Sequence, residues 1–149
     1  MNRRSEVRLL ARIVAIREAQ NALSTQRLLE VSDRERSATE ALLRAEQRSA
    51  EASAQWADYL AGQRMIPELA TGFGQRAIDA AQARMAASDH RDAMQAKTDL
   101  ARSARDRSEA QLSSSRDVLA TARRKQQRRE DERMQNALSD RATQRWSAR

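Results

Sequence analysis

Cysteine is absent from this 149-residue chain, histidine and proline occur once each, and glycine three times. Without cysteine there is no disulfide framework, and a metal site resting on one histidine would have to be built mainly from carboxylates. Leu, Ile, Val and Phe together number 22, about 15% of the chain, below the ~20% under which a compact core becomes doubtful. An ordinary globular enzyme fold is therefore excluded. Long apolar runs are missing too: in the start MNRRSEVRLLARIVAI the longest charge-free stretch is Ile13–Ile16. A signal peptide needs about 7–15 such residues and a membrane span about 20. The expectation is a cytoplasmic protein without a membrane span. Glu6 and Glu18 argue against a mitochondrial presequence, which is poor in acidic residues.

What is present is helix-forming. Ala, Arg, Leu, Glu, Gln and Met dominate, and these have the best intrinsic helix propensities. Glu30 and Arg34, and Glu40 and Arg44, stand at the favourable i,i+4 spacing; Asp33–Arg36, Asp99–Arg102 and Glu130–Arg133 stand at i,i+3. Each such pair adds roughly 0.2–0.5 kcal/mol to an exposed helix. All the strong breakers, Gly62, Pro67, Gly72 and Gly74, fall near mid-chain. Pro67 removes a backbone donor and biases Ile66 away from helix. Gly72 and Gly74 permit a sharp reversal, with Thr71 as a nearby N-cap. The reading is all-α: one hairpin over 1–149, helix 1 about 3–64, a turn about 65–74 and helix 2 about 75–146.

Helices of this length need a partner for their apolar stripe. In the first arm Leu9, Ile13, Ile16 and Leu23 follow 4-3-7 spacing, and the seam resumes as Leu28, Val31, Ala38, Leu42, Ala45, Ala52, Trp56 and Tyr59. The break between Gln20 and Val31 reads as a stutter. The second arm offers Ile78, Ala81 and Met85, then Leu100, Ala101 and Ala104, then Leu112, Ser115, Leu119 and Ala122. Ala and Ser let the helices approach closely but bury little area. The pattern predicts an extended antiparallel coiled coil with no globular core. A turn centred near residue 70 sets Leu28 near Leu112, Leu23 near Leu119 and Met1 opposite Ser139, leaving on the order of ten C-terminal residues beyond the first helix.

Charge is unevenly placed. Residues 1–17 hold five Arg against Glu6, and residues 123–149 hold nine basic against four acidic residues, so the net charge of +7 sits where the termini meet. The sharpest local feature is the run Arg123-Arg124-Lys125-Gln126-Gln127-Arg128-Arg129. Three readings stay open for it: a solvated helix face, a phosphate-neutralising patch, or a docking tip steered into an acidic cavity of a protein partner. Glu130, Asp131 and Glu132 follow at once and no aromatic is interleaved, which disfavours nucleic acid. His90, in SDHRD, reads as a solvated helix residue. Phosphate loops, nucleophile elbows and paired metal ligands are absent, so the chain reads as a non-enzyme without cofactor or metal and with no small-molecule substrate. Trp56 and Tyr59 read as the wide closed end of the seam. Phe73, set between two glycines, reads as an exposed contact there, and Trp146 as a candidate tip contact on the overhang.

The opening RLLARIVAIREAQNALSTQR and the closing ARRKQQRREDERMQNALSDRATQR, on two long helices with a mid-chain Pro/Gly reversal, resemble the FliJ/YscO family. These are central-stalk proteins of bacterial flagellar and type III secretion export machines. The resemblance implies a coiled-coil hairpin whose joined termini dock in the pore of a hexameric export ATPase. Arg8, Arg12, Arg123, Arg124, Lys125, Arg128, Arg129 and Arg133 would carry that docking. Phe73 and Ile78 at the closed end would contact an export gate protein. It also implies a location that is cytoplasmic or peripheral at the inner face of the inner membrane, with export chaperones as further partners. Two other classes are carried beside it: a generic cytosolic coiled-coil scaffold or export escort, and a basic nucleic-acid or anionic-membrane binder.

Overall fold

The computed structural model describes residues 3–62 and 64–147, with side chains 5–62, 64–144 and 146. The chain is all-α, a helical hairpin of two long helices, α1 (Arg3–Ala61) and α2 (Pro67–Ser147). None of the described helices is long and apolar enough to cross a membrane.

The reversal is shorter and earlier than the sequence suggests. It lies in the few residues between Ala61 and Pro67, not over 65–74, so α1 ends before residue 64 and α2 begins well before residue 75. Proline is the reason: its missing N–H is no loss at the first helical position, and its fixed φ is already helical. Pro67 therefore opens a helix, with Glu68 in the first turn favoured by the positive end of the backbone dipole. The Ile66 carbonyl accepts from the Ala70 N–H at 2.9 Å. Thr71 is no cap, since its hydroxyl donates back to the Pro67 carbonyl within the helix. Gly72 and Gly74 are helical, and none of the described glycines has positive φ. At the end of α1 the Gly62 N–H closes a tight last turn on the Tyr59 carbonyl at 3.2 Å.

Two compact units make up the chain. The closed unit comprises residues 25–104 and contains the reversal. Tyr59 clamps the reversal: the Ile66 N–H donates to its hydroxyl at 2.7 Å, and the hydroxyl donates to the Ile66 carbonyl at 2.9 Å. Trp56 stacks on Tyr59 at 6.5 Å between ring centroids, and Phe73 leans on Tyr59 at 5.0 Å. Gly74 leaves room for the Trp56 ring, which stands 3.5 Å from where a Cβ would be. Phe73 is therefore half-buried in an aromatic cluster, and not the exposed contact that its flanking glycines suggest. Among the described residues of this unit the buried side chains are Ala38, Met94 and Thr98. Thr98, at 2% exposure, gives its hydroxyl to the Met94 carbonyl one turn back and so enters the seam with its polar group satisfied.

The open unit comprises residues 1–24 and 105–149. Val14, Leu112 and Leu119 form its core, with Val7, Leu10 and Ala11 packed against them. Polar links cross between the helices, among them Arg17 donating to Gln111 and Arg116 to Glu18, each at 2.7 Å. Leu112 thus meets Val14 and not Leu28, and Leu119 does not meet Leu23. The earlier turn accounts for this shift in register. Met1 lies outside the described residues.

The seam phase also differs in the first arm. In α1 every seventh residue from Val7 through Val14, Asn21 and Leu28 to Trp56 is buried or half-buried, as is every seventh from Leu10 through Arg17, Ser24 and Val31 to Tyr59. This is an unbroken heptad, so there is no stutter. The stretch from Leu28 to Tyr59 lies as the sequence suggests, but Leu9, Ile13, Ile16 and Leu23 are exposed. Polar residues at seam positions, Arg17, Asn21 and Ser24, made the true stripe the less apolar of two. In α2, Leu112, Ser115, Leu119 and Ala122 hold their places, whereas Ile78, Met85, Leu100 and Ala104 are exposed and Ala77, Ala80, Arg91, Met94, Thr98 and Arg105 take the seam.

Candidate protein-docking interface

Helix α2 outruns its partner. Gln126 is its last half-buried described residue; every described side chain from Gln127 onward is exposed, yet the helix continues to Ser147. At ~1.5 Å per residue the single-helix overhang is about 30 Å long, roughly twice the length the sequence register gives.

The basic residues at its root form rows. Arg124 and Arg128 stand one turn apart, as do Lys125, Arg129 and Arg133, and side chains at i,i+4 lie above one another on a helix face. All five are exposed, and so is Arg123. Among the described residues no ion pair to a carboxylate is seen for Arg123, Lys125, Arg128 or Arg129; Arg124 contacts only the Thr121 hydroxyl, at 3.5 Å. Like charges at i,i+4 cost a few tenths of a kcal/mol each, so the rows weaken the helix that carries them. Glu130 accepts from Gln126 at 3.0 Å. On α1, Arg8 and Arg12 form a third exposed pair at i,i+4.

The open unit carries 17 basic against nine acidic residues, a net +8; the closed unit carries 11 against 12, a net −1. The whole excess of positive charge thus belongs to one unit. In the closed unit Asp33–Arg36, Glu40–Arg44 and Asp99–Arg102 form as the sequence predicts, while Glu30 accepts from the Gln26 amide.

The other sequence candidates separate. Trp146 is 85% exposed on the overhang. Ile78 is exposed on α2 in the closed unit, but Phe73 is committed to Tyr59. His90 is exposed on α2, and no group of three or more His, Cys, Asp or Glu is placed to hold a metal ion among the described residues. Leu9, Ile13, Ile16 and Leu23, assigned by sequence to the seam, form instead an exposed apolar row. The signal was present in the sequence, as a second heptad beside the first, but periodicity alone cannot say which stripe meets the other helix. No family model, no curated protein and no solved structure matches the chain.

Proposed function

We propose that the chain is a non-enzymatic docking stalk of the FliJ/YscO kind, the central stalk of a bacterial flagellar or type III secretion export apparatus. Its cationic open end would enter an acid-lined pore of a hexameric export ATPase. The observation that carries this reading is the basic, single-helix overhang on a helical pair. Long-range attraction between an acidic cavity and this helix would steer encounter and set orientation. Arg124, Lys125, Arg128, Arg129 and Arg133 would face the pore wall from the overhang's root, with Arg8 and Arg12 completing the cationic end from α1. On this reading the closed unit reaches the export gate, with Ile78 as its exposed apolar contact.

Titration of the full chain with a hexameric export ATPase, followed by sedimentation at rising salt, tests the proposal. Binding of one stalk per hexamer that weakens with salt is expected. Arg124→Glu combined with Arg128→Glu should weaken binding about tenfold or more while the helical circular dichroism stays unchanged. Undiminished binding by that double variant, or no binding by the unaltered chain, would overturn it.

A further inference from the structure

The first arm of α1 carries two heptad rows. One is the seam, Val7, Leu10, Val14 and Arg17, which meets Leu112 and Leu119 of α2. The other, Leu9, Ile13, Ile16 and Leu23, is 50%, 37%, 58% and 59% exposed. With 3.6 residues per turn, the second row points well away from the seam, so no small adjustment of the helical pair can cover it. Its spacing alternates four and three residues, with Gln20 filling the step between Ile16 and Leu23. Such spacing fits a coiled-coil partner helix and not a flat surface.

Charge selects the occupant. Arg12 and Arg17 stand at the positions that flank the row, and Glu6 at the heptad position before Leu9. Glu6 is the one acidic side chain in the first seventeen residues. A second copy would bring a unit of net +8 against its like. Four half-exposed aliphatic side chains also fall well short of the ~800 Å² per partner that a stable interface covers, so area alone does not overcome that repulsion. An acidic helix reverses the sign of the charge term and keeps the apolar one. We infer that the Leu9–Ile13–Ile16–Leu23 row of α1 is a docking strip for an acidic amphipathic helix of a partner protein. The inference shares Arg12 with the stalk reading but rests on the apolar row of α1 and none of the overhang, so the two can fail separately.

The probe is a labelled synthetic helix with leucine at both seam positions of each heptad and glutamate at the flanking positions, beside a twin flanked by lysine. Fluorescence anisotropy against the full chain should show binding of the glutamate helix and none of the lysine helix. Ile13→Ser with Ile16→Ser should weaken the glutamate helix roughly tenfold or more, because two aliphatic contacts are lost. Circular dichroism should hold, because neither side chain lies in the seam. Arg124→Glu with Arg128→Glu should leave this binding within about twofold, while reducing ATPase binding if the stalk reading holds. The inference is overturned if the glutamate helix fails to bind. It is equally overturned if the Ile13/Ile16 variant binds as before, or if sedimentation shows a dimer that those two substitutions dissolve.

Discussion

The two units solve the same packing problem with different materials. The open unit buries the aliphatic side chains of Val14, Leu112 and Leu119 among its described residues, and carries net charge +8. The closed unit buries Ala38, Met94 and Thr98, closes its reversal with three aromatic rings, and is close to neutral. Large aliphatics supply free energy in proportion to area, ~25 cal/mol per Å², and the open unit needs that most because its like charges repel. Small residues supply less but let backbones approach, which suits a unit whose reversal is fixed by the Tyr59 hydrogen bonds. Cohesion and charge are thus concentrated together in one unit, while the other is held by close fit.

If that contrast is right, the largest single loss comes from the aliphatic core. Leu119→Ala removes a side chain that is 7% exposed, and buried Leu→Ala changes cost about 2–5 kcal/mol. The lower half of that range is expected, since a two-helix seam can close over a void. Hydrogen exchange should show loss of protection in residues 7–24 and 105–122 with 30–60 unaffected. Equal loss in both stretches would mean that the units unfold as one.

A contrary effect is expected in the closed unit. Gly72 and Gly74 sit in helix with no positive φ, where glycine costs roughly 0.5–1 kcal/mol relative to alanine. A Cβ at Gly72 would meet nothing within 4 Å, and one at Gly74 would touch the Trp56 ring at 3.5–3.8 Å, an ordinary contact distance. Gly74→Ala should therefore stabilise the chain by about 0.5–1 kcal/mol, and Gly72→Ala by a similar amount, read as a rise in thermal midpoint. A fall at Gly74 would show that the aromatic cluster needs the open space beside Trp56.

How much of this was legible in the residues divides along the same line. Helix content, the single reversal and the pole of charge follow from propensity and counting, because these are local or additive quantities. From Leu28 to Tyr59 the seam is legible because its apolar residues have no rival row. Before Leu28 two rows compete, and the more apolar one is the exposed one; what decides between them is continuity with Val31, Ala38 and Ala45, a long-range fact. The glycines misled for a different reason. Gly72 and Gly74 signal backbone freedom, but Pro67 had already started the helix, and freedom that is permitted need not be used. Phe73 follows from that: once its segment is helical, it shares a face with Ala70 and Ala77 and packs on Tyr59. The length of the overhang then follows from the turn's position, since each residue by which the reversal moves displaces the register by two.

The smallest effect concerns the polar links of the open unit. Arg116 and Glu18 join the two helices at 2.7 Å, but their side chains are 58% and 49% exposed. Water and salt screen such a pair, and exposed pairs typically contribute 0.2–1 kcal/mol. A double-mutant cycle of Arg116→Ala and Glu18→Ala should give a coupling of about 0.5 kcal/mol that fades in high salt. Arg17 and Gln111 lie beside the pair and must be left intact, because Arg17 also donates to Gln20 and can reorganise when its neighbour changes. A coupling above about 1 kcal/mol would mean that the cross-helix network, and not Leu112 and Leu119, fixes the register of the open unit. The overhang would then owe its length to a few charged side chains. A coupling near zero leaves register to the aliphatic core, consistent with a unit whose surface charge serves encounter with a partner more than its own cohesion.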